Sequence, residues 1–300
     1  MWKVIGHKNQ KELLDKAIAK KQYAHAYLFC GPQGIGKKTL ALEFAVGILT
    51  GDGLMAKDGL KAKNILKAET VSAAQSCASP EFNPDLIILD QEKIKIEDIR
   101  NLISALSLRP YFYNRKIAVI DNFESATPEA ANSILKTLEE PNSSTVIILI
   151  AQSRKSVLPT IASRTQIINF SRLSEDEMLQ AAVDREAKKY LRFFNGKPGK
   201  MFSFQSGDAF RESFIQNLKV LQNLKLQKPA GRLSFIKEFS DFDSGEIARV
   251  LDNWMDVEQS AVAGQPHGSK NLRLFLEAIS GLKKNFNKKM VLERVFLEMV

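Results

Sequence analysis

The chain has 300 residues, 44% hydrophobic and 26% charged, which indicates an ordinary globular protein with room for two or three domains. Its net charge of +9 suggests an acidic partner, DNA or RNA first, with a merely basic surface as the equal alternative. No apolar segment is long enough to cross a bilayer, so we expect a cytoplasmic protein without membrane contacts. The two cysteines, Cys30 and Cys77, exclude a disulfide scaffold and are too few for a zinc site.

The first recognisable elements are an amphipathic helix around residue 14 and a buried strand at 26–30. A glycine-rich loop follows, and after it Leu40, Phe44 and Ile48 recur at helical spacing. Strand, glycine-rich loop and helix are the context of a nucleotide phosphate loop, whose backbone N–H groups wrap phosphates at a helix N-terminus. We assign the binding of ATP or ADP phosphates to Gly31, Gly34, Gly36, Lys37, Lys38 and Thr39.

Position 38 departs from the motif. The residue after the motif lysine normally supplies a hydroxyl for Mg²⁺, but Lys38 carries a cation that only donates hydrogen bonds. Thr39 is no simple substitute, because one residue along a helix turns the side chain by about 100°. The sequence therefore favours a pocket that keeps nucleotide binding and loses hydrolysis. Whether ATP or ADP binds at all stays open, as does a phosphate contact from Lys38 in a metal-free pocket.

The rest of the chain divides into an α/β part and a helical part. Residues 51–84 are rich in glycine and small polar residues, which predicts an insertion with little regular structure. Strands are expected at 85–90, 116–121, 145–150 and 166–170, and helices between them predict a parallel five-stranded sheet with helices on both faces. From Ser174 onward only helical periodicity is found. We expect an α/β nucleotide-binding domain at 1–172, a small helical lid at 173–207 and a C-terminal helical domain at 208–300.

A second acidic position follows the strand at 116–121. A phosphate-loop hydrolase needs an acidic group there to hold the metal, and Asp121 takes this place. The next residue is Asn122, where an active ATPase usually has a glutamate that orients the attacking water. Glu124 lies past the strand end and is interpreted as a solvated loop charge. Positions 38 and 122 are thus both altered, which favours a retained pocket without turnover.

Four stretches together resemble the delta-prime family of bacterial DNA polymerase III clamp-loader subunits, which are AAA+ proteins. The entry into the phosphate loop at 25–37 is one of them, and the most specific is Ala-Ala-Asn-Ser-Ile-Leu-Lys-Thr-Leu-Glu-Glu-Pro at 130–141. The others are 158–164, which ends in Ser-Arg, and the turn at 195–200. The resemblance covers residues 1 to about 205 and implies an AAA+ sheet followed by a lid and a helical collar domain.

The resemblance also implies roles for single residues. Arg164 would enter the ATP site of the adjacent motor subunit, although Thr165 replaces the cysteine that follows the arginine in the family. Gln152 falls at the sensor 1 position. Lys200 falls near the sensor 2 position and either contacts a γ-phosphate or is a solvated lysine. The family's four-cysteine zinc module is reduced to Cys77, so no zinc is expected.

The function implied is that of a delta-prime-type subunit that does not turn over ATP alone and donates Arg164 to a neighbour. Its partners would be the gamma/tau motor subunits and delta, with the sliding clamp and primed DNA reached through the assembled complex. The first alternative is an active gamma/tau-type motor, against which positions 38 and 122 argue. A phosphate-loop kinase or helicase acting alone is the second alternative, but the sequence provides no acceptor site for it.

Overall fold

The computed structural model describes residues 2–51, 83–239, 241–261 and 268–299. The chain forms two compact units, Met1–Leu173 and Ser174–Val300. Nearly all of the predicted insertion at 51–84, including Cys77, lies outside the described residues. Among the described helices, none is both long and apolar enough to span a membrane.

The first unit is built on one parallel sheet, in which the described residues form five strands in the order β2-β3-β4-β1-β5. The strands are β1 (Ala26–Cys30), β2 (Leu86–Leu89), β3 (Lys116–Ile120), β4 (Thr145–Ala151) and β5 (Gln166–Asn169). The strands β1, β3 and β4 are buried along their whole length, as central strands covered on both faces must be. This confirms the predicted parallel five-stranded sheet.

Helices cover both faces of the sheet. They are α1 (Lys8–Lys20), α2 (Lys37–Gly51), α3 (Ile96–Ser107), α4 (Pro128–Ser133), α5 (Leu135–Glu139) and α6 (Pro159–Ala162). Alternate residues of β1 separate the two apolar cores: Tyr27 and Phe29 pack with α1 and α2, and Leu28 packs with α3 to α6. Because successive side chains of a strand point to opposite faces, the two cores lie on opposite sides of the sheet.

The segment at 127–139, whose sequence predicts one helix, forms two short helices. As predicted, Thr127 caps the start, since its Oγ1 accepts a hydrogen bond from the backbone N–H of Ala130 at 3.2 Å. The helical pattern is interrupted at Ile134, between α4 and α5. Just before this point, Ser133 Oγ donates to the carbonyl oxygen of Ala130 at 2.7 Å, a side-chain bond of the kind that bends helices.

The second unit is helical in its described residues. Its helices are α7 (Glu175–Ala181), α8 (Arg185–Lys189), α9 (Pro198–Ser206), α10 (Asp208–Leu226), α11 (Pro229–Arg232), α12 (Ser244–Ala261), α13 (Gly268–Lys283) and α14 (Lys288–Glu298). Ser174 and Glu177 form a capping box at the start of α7. Trp254, Phe275 and Phe296 are fully buried in its apolar core. The division of this unit into lid and collar stays a prediction.

Candidate functional site

The loop between β1 and α2 has a conformation that only glycine adopts without strain. Gly34 and Gly36 have φ angles of 80° and 94°, in the left-handed region that side chains disfavour. At Gly31, an added Cβ atom would lie 2.4 Å from the carbonyl oxygen of Phe170, which follows β5. The three glycines of the motif therefore fix the path of this loop.

The motif lysine, Lys37, is buried inside the loop at the start of α2. Its Nζ donates hydrogen bonds to the carbonyl oxygens of Gly31 at 2.5 Å and Pro32 at 2.7 Å. Burial lowers the pKa of Lys37, and the charges of Asp121 and Glu124 partly raise it. The ammonium group thus lies in the concave side of the loop, where phosphate loops of this form use a lysine to contact phosphates.

Two carboxylates meet at the carboxyl edge of the sheet. Leu89 and Ile120, the last residues of β2 and β3, are paired in register. The residues that follow them, Asp90 and Asp121, therefore lie side by side, and the N–H of Asp121 donates to the carbonyl oxygen of Leu89 at 2.9 Å. Asp121 was predicted from its position after a strand, whereas the sequence analysis missed Asp90. The signal for both was the same, an acidic residue directly after a buried strand.

Lys38 links these two carboxylates to the phosphate loop. It is the second residue of α2, and its Nζ donates to Oδ2 of Asp90 in an ion pair. The same Nζ lies 3.7 Å from Oδ2 of Asp121. Because β4 lies between β1 and β3 in the sheet, only a long side chain can reach from α2 to both carboxylates. The ammonium group therefore lies between the two acidic residues.

Mg²⁺ does not fit this arrangement. It is bound through oxygen ligands, and the carboxylates that would provide them, Asp90 and Asp121, already pair with the ammonium group of Lys38. Thr39, the nearest hydroxyl in the motif, is exposed on α2. Among the described residues, no cluster of three or more His, Cys, Asp or Glu is placed to hold a metal ion. The expectation of no zinc stays a prediction, since Cys77 lies outside the described residues.

Glu124 is not a solvated loop charge, so that expectation is wrong. Its Oε2 is buried and, within the described parts of the chain, has no hydrogen-bond partner. Its charge raises the pKa of both Lys37 and Cys30, so the carboxyl group lies near the phosphate loop. The physical reason is the turn at Asn122, whose φ of 53° is a left-handed conformation that asparagine tolerates. Sequence position past the strand end did not reveal this turn.

Gln152, the predicted sensor 1 residue, directly follows β4 and is exposed. Since β4 lies between β3 and β1, Gln152 is at the same sheet edge as Asp121 and the phosphate loop. This is a suitable position for a group that contacts a bound phosphate. The sensor role of Gln152 stays a prediction.

Arg164 lies in the turn between α6 and β5, and its side chain is partly exposed. Its Nη1 donates to the carbonyl oxygen of Thr160 at 3.0 Å, and its Nη2 forms an ion pair with Glu139 at 2.7 Å. Glu139 ends α5, within the stretch 130–141. The guanidinium group is therefore held at the surface of the first unit by one carbonyl and one carboxylate.

Lys200, at the predicted sensor 2 position, lies in α9 of the second unit and is not a solvated lysine. Its Nζ donates to Oδ2 of Asp252 at 2.7 Å and to Oδ2 of Asp256 at 2.5 Å, both in α12. Lys197 pairs with the same Asp256 at 2.8 Å. The sequence could not reveal this cluster because α12 lies more than fifty residues further along the chain. A phosphate contact from Lys200 stays a prediction.

A glycine-rich loop between the first strand and helix of a five-stranded parallel sheet, with an acidic residue after a neighbouring strand, defines a P-loop protein of the AAA+ class. The sequence model of the family described as DNA polymerase III, delta subunit, matches residues 6–174. The chain belongs to this family of clamp-loader subunits.

Individual relatives agree with the family. The chain is 33% identical over 159 residues to the DNA polymerase III subunit delta' of Pseudomonas aeruginosa, a match that covers 52% of this chain and 45% of the relative. It is 28% identical over 225 residues to the subunit delta' of Bacillus subtilis, which covers 72% and 64%. The chain thus spans less than two thirds of either relative. The crystal structure of a DNA polymerase III gamma subunit-related protein from Thermotoga maritima shares the fold, with a TM-score of 0.54 at 19% identity and coverage of 97% and 99%.

Proposed function

We propose that the chain is a delta-prime-type subunit of the cytoplasmic DNA polymerase III clamp loader. It closes one end of a ring of AAA+ subunits, does not turn over ATP itself, and donates Arg164 to the ATP site of a neighbouring motor subunit. Its partners are the gamma/tau motor subunits and delta, and the assembled complex places the sliding clamp on primed DNA. The observation that carries the proposal is the ion pairing of Lys38 with Asp90 and Asp121, because it occupies the carboxylates that metal-dependent hydrolysis needs.

The surroundings of Arg164 support its role toward a neighbour. The planar guanidinium group matches phosphate oxygens with two parallel hydrogen bonds, and it stays charged at any working pH. Its carboxylate partner, Glu139, is itself exposed, and exposed ion pairs are worth only about 0–1 kcal/mol. Arg164 can therefore exchange Glu139 for a phosphate at little cost. Arginines donated in this way raise hydrolysis by about 10³ to 10⁵ in related NTPases.

Steady-state ATP hydrolysis tests the proposal. The purified chain is assayed alone with magnesium, and then after motor subunits, delta, clamp and primed DNA have been added. We expect no turnover by the chain alone and DNA-stimulated turnover by the complex. Arg164→Ala should remove the contribution of the one site that the arginine completes, a loss of about 10³ at that site. Arg100→Ala, which removes an exposed arginine of α3, is the matched control and should leave the rate unchanged.

Two results would contradict the proposal. An unchanged rate in the complex with Arg164→Ala would remove the donated-arginine role. Turnover by the chain alone, abolished by Lys37→Ala, would instead identify an active motor of the gamma/tau type. The second result would also mean that Lys38 leaves its two carboxylates when nucleotide binds.

A further inference from the structure

We propose that Lys38 is the resident cation of this phosphate loop. Its ammonium group replaces the divalent metal, so that the loop takes a nucleoside diphosphate in metal-free form. The inference deepens the proposed function, since it rests on a loop that does not hydrolyse nucleotide. It concerns the chain alone, and its test does not involve Arg164 or any partner subunit.

The position of the Lys38 ammonium group is the first support. A metal ion in a phosphate-loop site is held by acidic side chains at the sheet edge and touches the bound phosphates. Nζ of Lys38 contacts the two acidic side chains that stand there, Asp90 and Asp121. The side chain of Lys38 is 37% exposed, so a ligand in the loop can reach its ammonium group. Lys38 thus has the neighbours of the metal and remains open on the ligand side.

The balance of charges is the second support. A divalent ion could enter only by displacing the ammonium group, because two cations cannot share the same two carboxylates without strong repulsion. The tether to α2 keeps that ammonium group at a high local concentration, against which a free metal ion must compete. Metal is therefore excluded unless the charge at position 38 is removed.

The same balance selects the ligand. Two ammonium groups, of Lys37 and Lys38, face three carboxylates, of Asp90, Asp121 and Glu124. With ordinary ionisation the site carries one net negative charge, whereas a bound divalent metal would make it positive. A metal-free triphosphate brings one more negative charge than a diphosphate. The diphosphate should therefore bind more tightly than the triphosphate.

The test is a binding titration of the isolated chain with a fluorescent ADP analogue, followed by anisotropy, once with EDTA and once with Mg²⁺. For the natural chain we expect affinity in EDTA at least equal to that in Mg²⁺, and weaker binding of the matching ATP analogue. Lys38→Thr restores the motif hydroxyl and frees both carboxylates. Its affinity in EDTA should fall by about tenfold or more and should recover when Mg²⁺ is added.

Three further measurements make the interpretation unique. Lys38→Arg keeps the charge, so binding should stay independent of metal. Lys37→Ala should abolish binding under both conditions, which assigns the signal to this loop. Paramagnetic Mn²⁺, measured with ADP present, should bind to Lys38→Thr and not to the natural chain. Circular dichroism of each variant checks that it is folded.

The proposal is overturned if the natural chain requires Mg²⁺ for binding, or if it binds the ADP analogue under neither condition. It is also overturned if folded Lys38→Thr gains no dependence on metal. Should that variant fail to fold, the comparison of EDTA with Mg²⁺ for the natural chain and for Lys38→Arg decides. None of these outcomes changes the assay of Arg164 in the assembled loader, so the two proposals fail separately.

Discussion

Nη2 of Arg164 lies 2.7 Å from Oε1 of Glu139, so the last residue of α5 holds the arginine that we propose to act on a neighbouring subunit. The two side chains are 36% and 49% exposed, and solvent therefore screens their attraction. A pair of this kind directs the guanidinium group more than it stabilises the fold.

The first prediction is a small coupling between these two residues. In a double-mutant cycle with Glu139→Gln and Arg164→Ala, urea unfolding should give an interaction free energy of about 0.2–1 kcal/mol. Glu139→Gln should also leave the ATPase rate of the complex at or above its natural value, because the neutral amide competes less for the guanidinium group. Glu140→Gln, a change at the exposed neighbouring residue, is the control.

Either of two findings would count against this interpretation. A coupling of about 3 kcal/mol or more would place the pair among structural ion pairs rather than exchangeable ones. A loss of ATPase activity in Glu139→Gln, with stability unchanged, would mean that Glu139 positions Arg164 for its neighbour instead of competing for it.

Local patterns were sufficient to predict the fold of the first unit. Buried parallel strands read as unbroken apolar runs, so the expected strand at 116–121 differs from β3 (Lys116–Ile120) by one residue. The phosphate loop was readable because its glycines, its lysine and the flanking elements are contiguous in sequence. Features that depend on residues within a few positions of one another were therefore predictable.

The site could be predicted only in part, because its remaining features depend on contacts between distant segments. Asp90 joins the site only through the order of β2 and β3, which no local pattern reveals. Glu124 joins it through the left-handed turn at Asn122. The partners of Lys200, Asp252 and Asp256, follow it by more than fifty residues. The chemical consequence of Lys38 was predicted, but its two carboxylate partners were not.

The second prediction concerns the buried carboxylate of Asp256, which is 2% exposed. It accepts hydrogen bonds from Lys197 at 2.9 Å, from Lys200 at 2.5 Å and from Asn195 at 3.1 Å. Asp256→Ala leaves two ammonium groups without their shared partner. We expect the free energy of unfolding of the second unit to fall by about 3–5 kcal/mol, the usual cost of breaking a buried ion pair on one side.

Asp252→Ala is the matched control for that experiment. The Asp252 carboxylate also contacts Lys200, at 2.7 Å, but it is 45% exposed, so its removal should cost no more than about 1 kcal/mol. Urea unfolding is followed by the fluorescence of Trp254, which is buried in the second unit, in a Trp2→Phe background. Equal costs for the two changes would show that burial does not set the strength of this cluster.

The third prediction is a pH dependence that comes from Lys37. Burial lowers the pKa of Lys37 below its ordinary value of 10.5, so the folded chain binds this proton less tightly than the unfolded chain does. Between the lowered pKa and 10.5 the unfolded state therefore holds more protons, and stability rises with pH through this window. At lower pH both states are protonated, and the folded state carries the full cost of the buried charge.

Lys37→Met isolates this effect, because it keeps a flexible apolar stem and removes the titrating group. The free energy of unfolding of the natural chain, relative to Lys37→Met, should rise from pH 7 toward pH 10 in urea titrations followed by circular dichroism. Lys37→Arg stays charged over this range, so its difference from Lys37→Met should not change with pH. If the natural chain shows the same flat difference as Lys37→Arg, the ammonium group of Lys37 is not destabilised by burial. Its hydrogen bonds to Gly31 and Pro32 would then offset the whole loss of hydration.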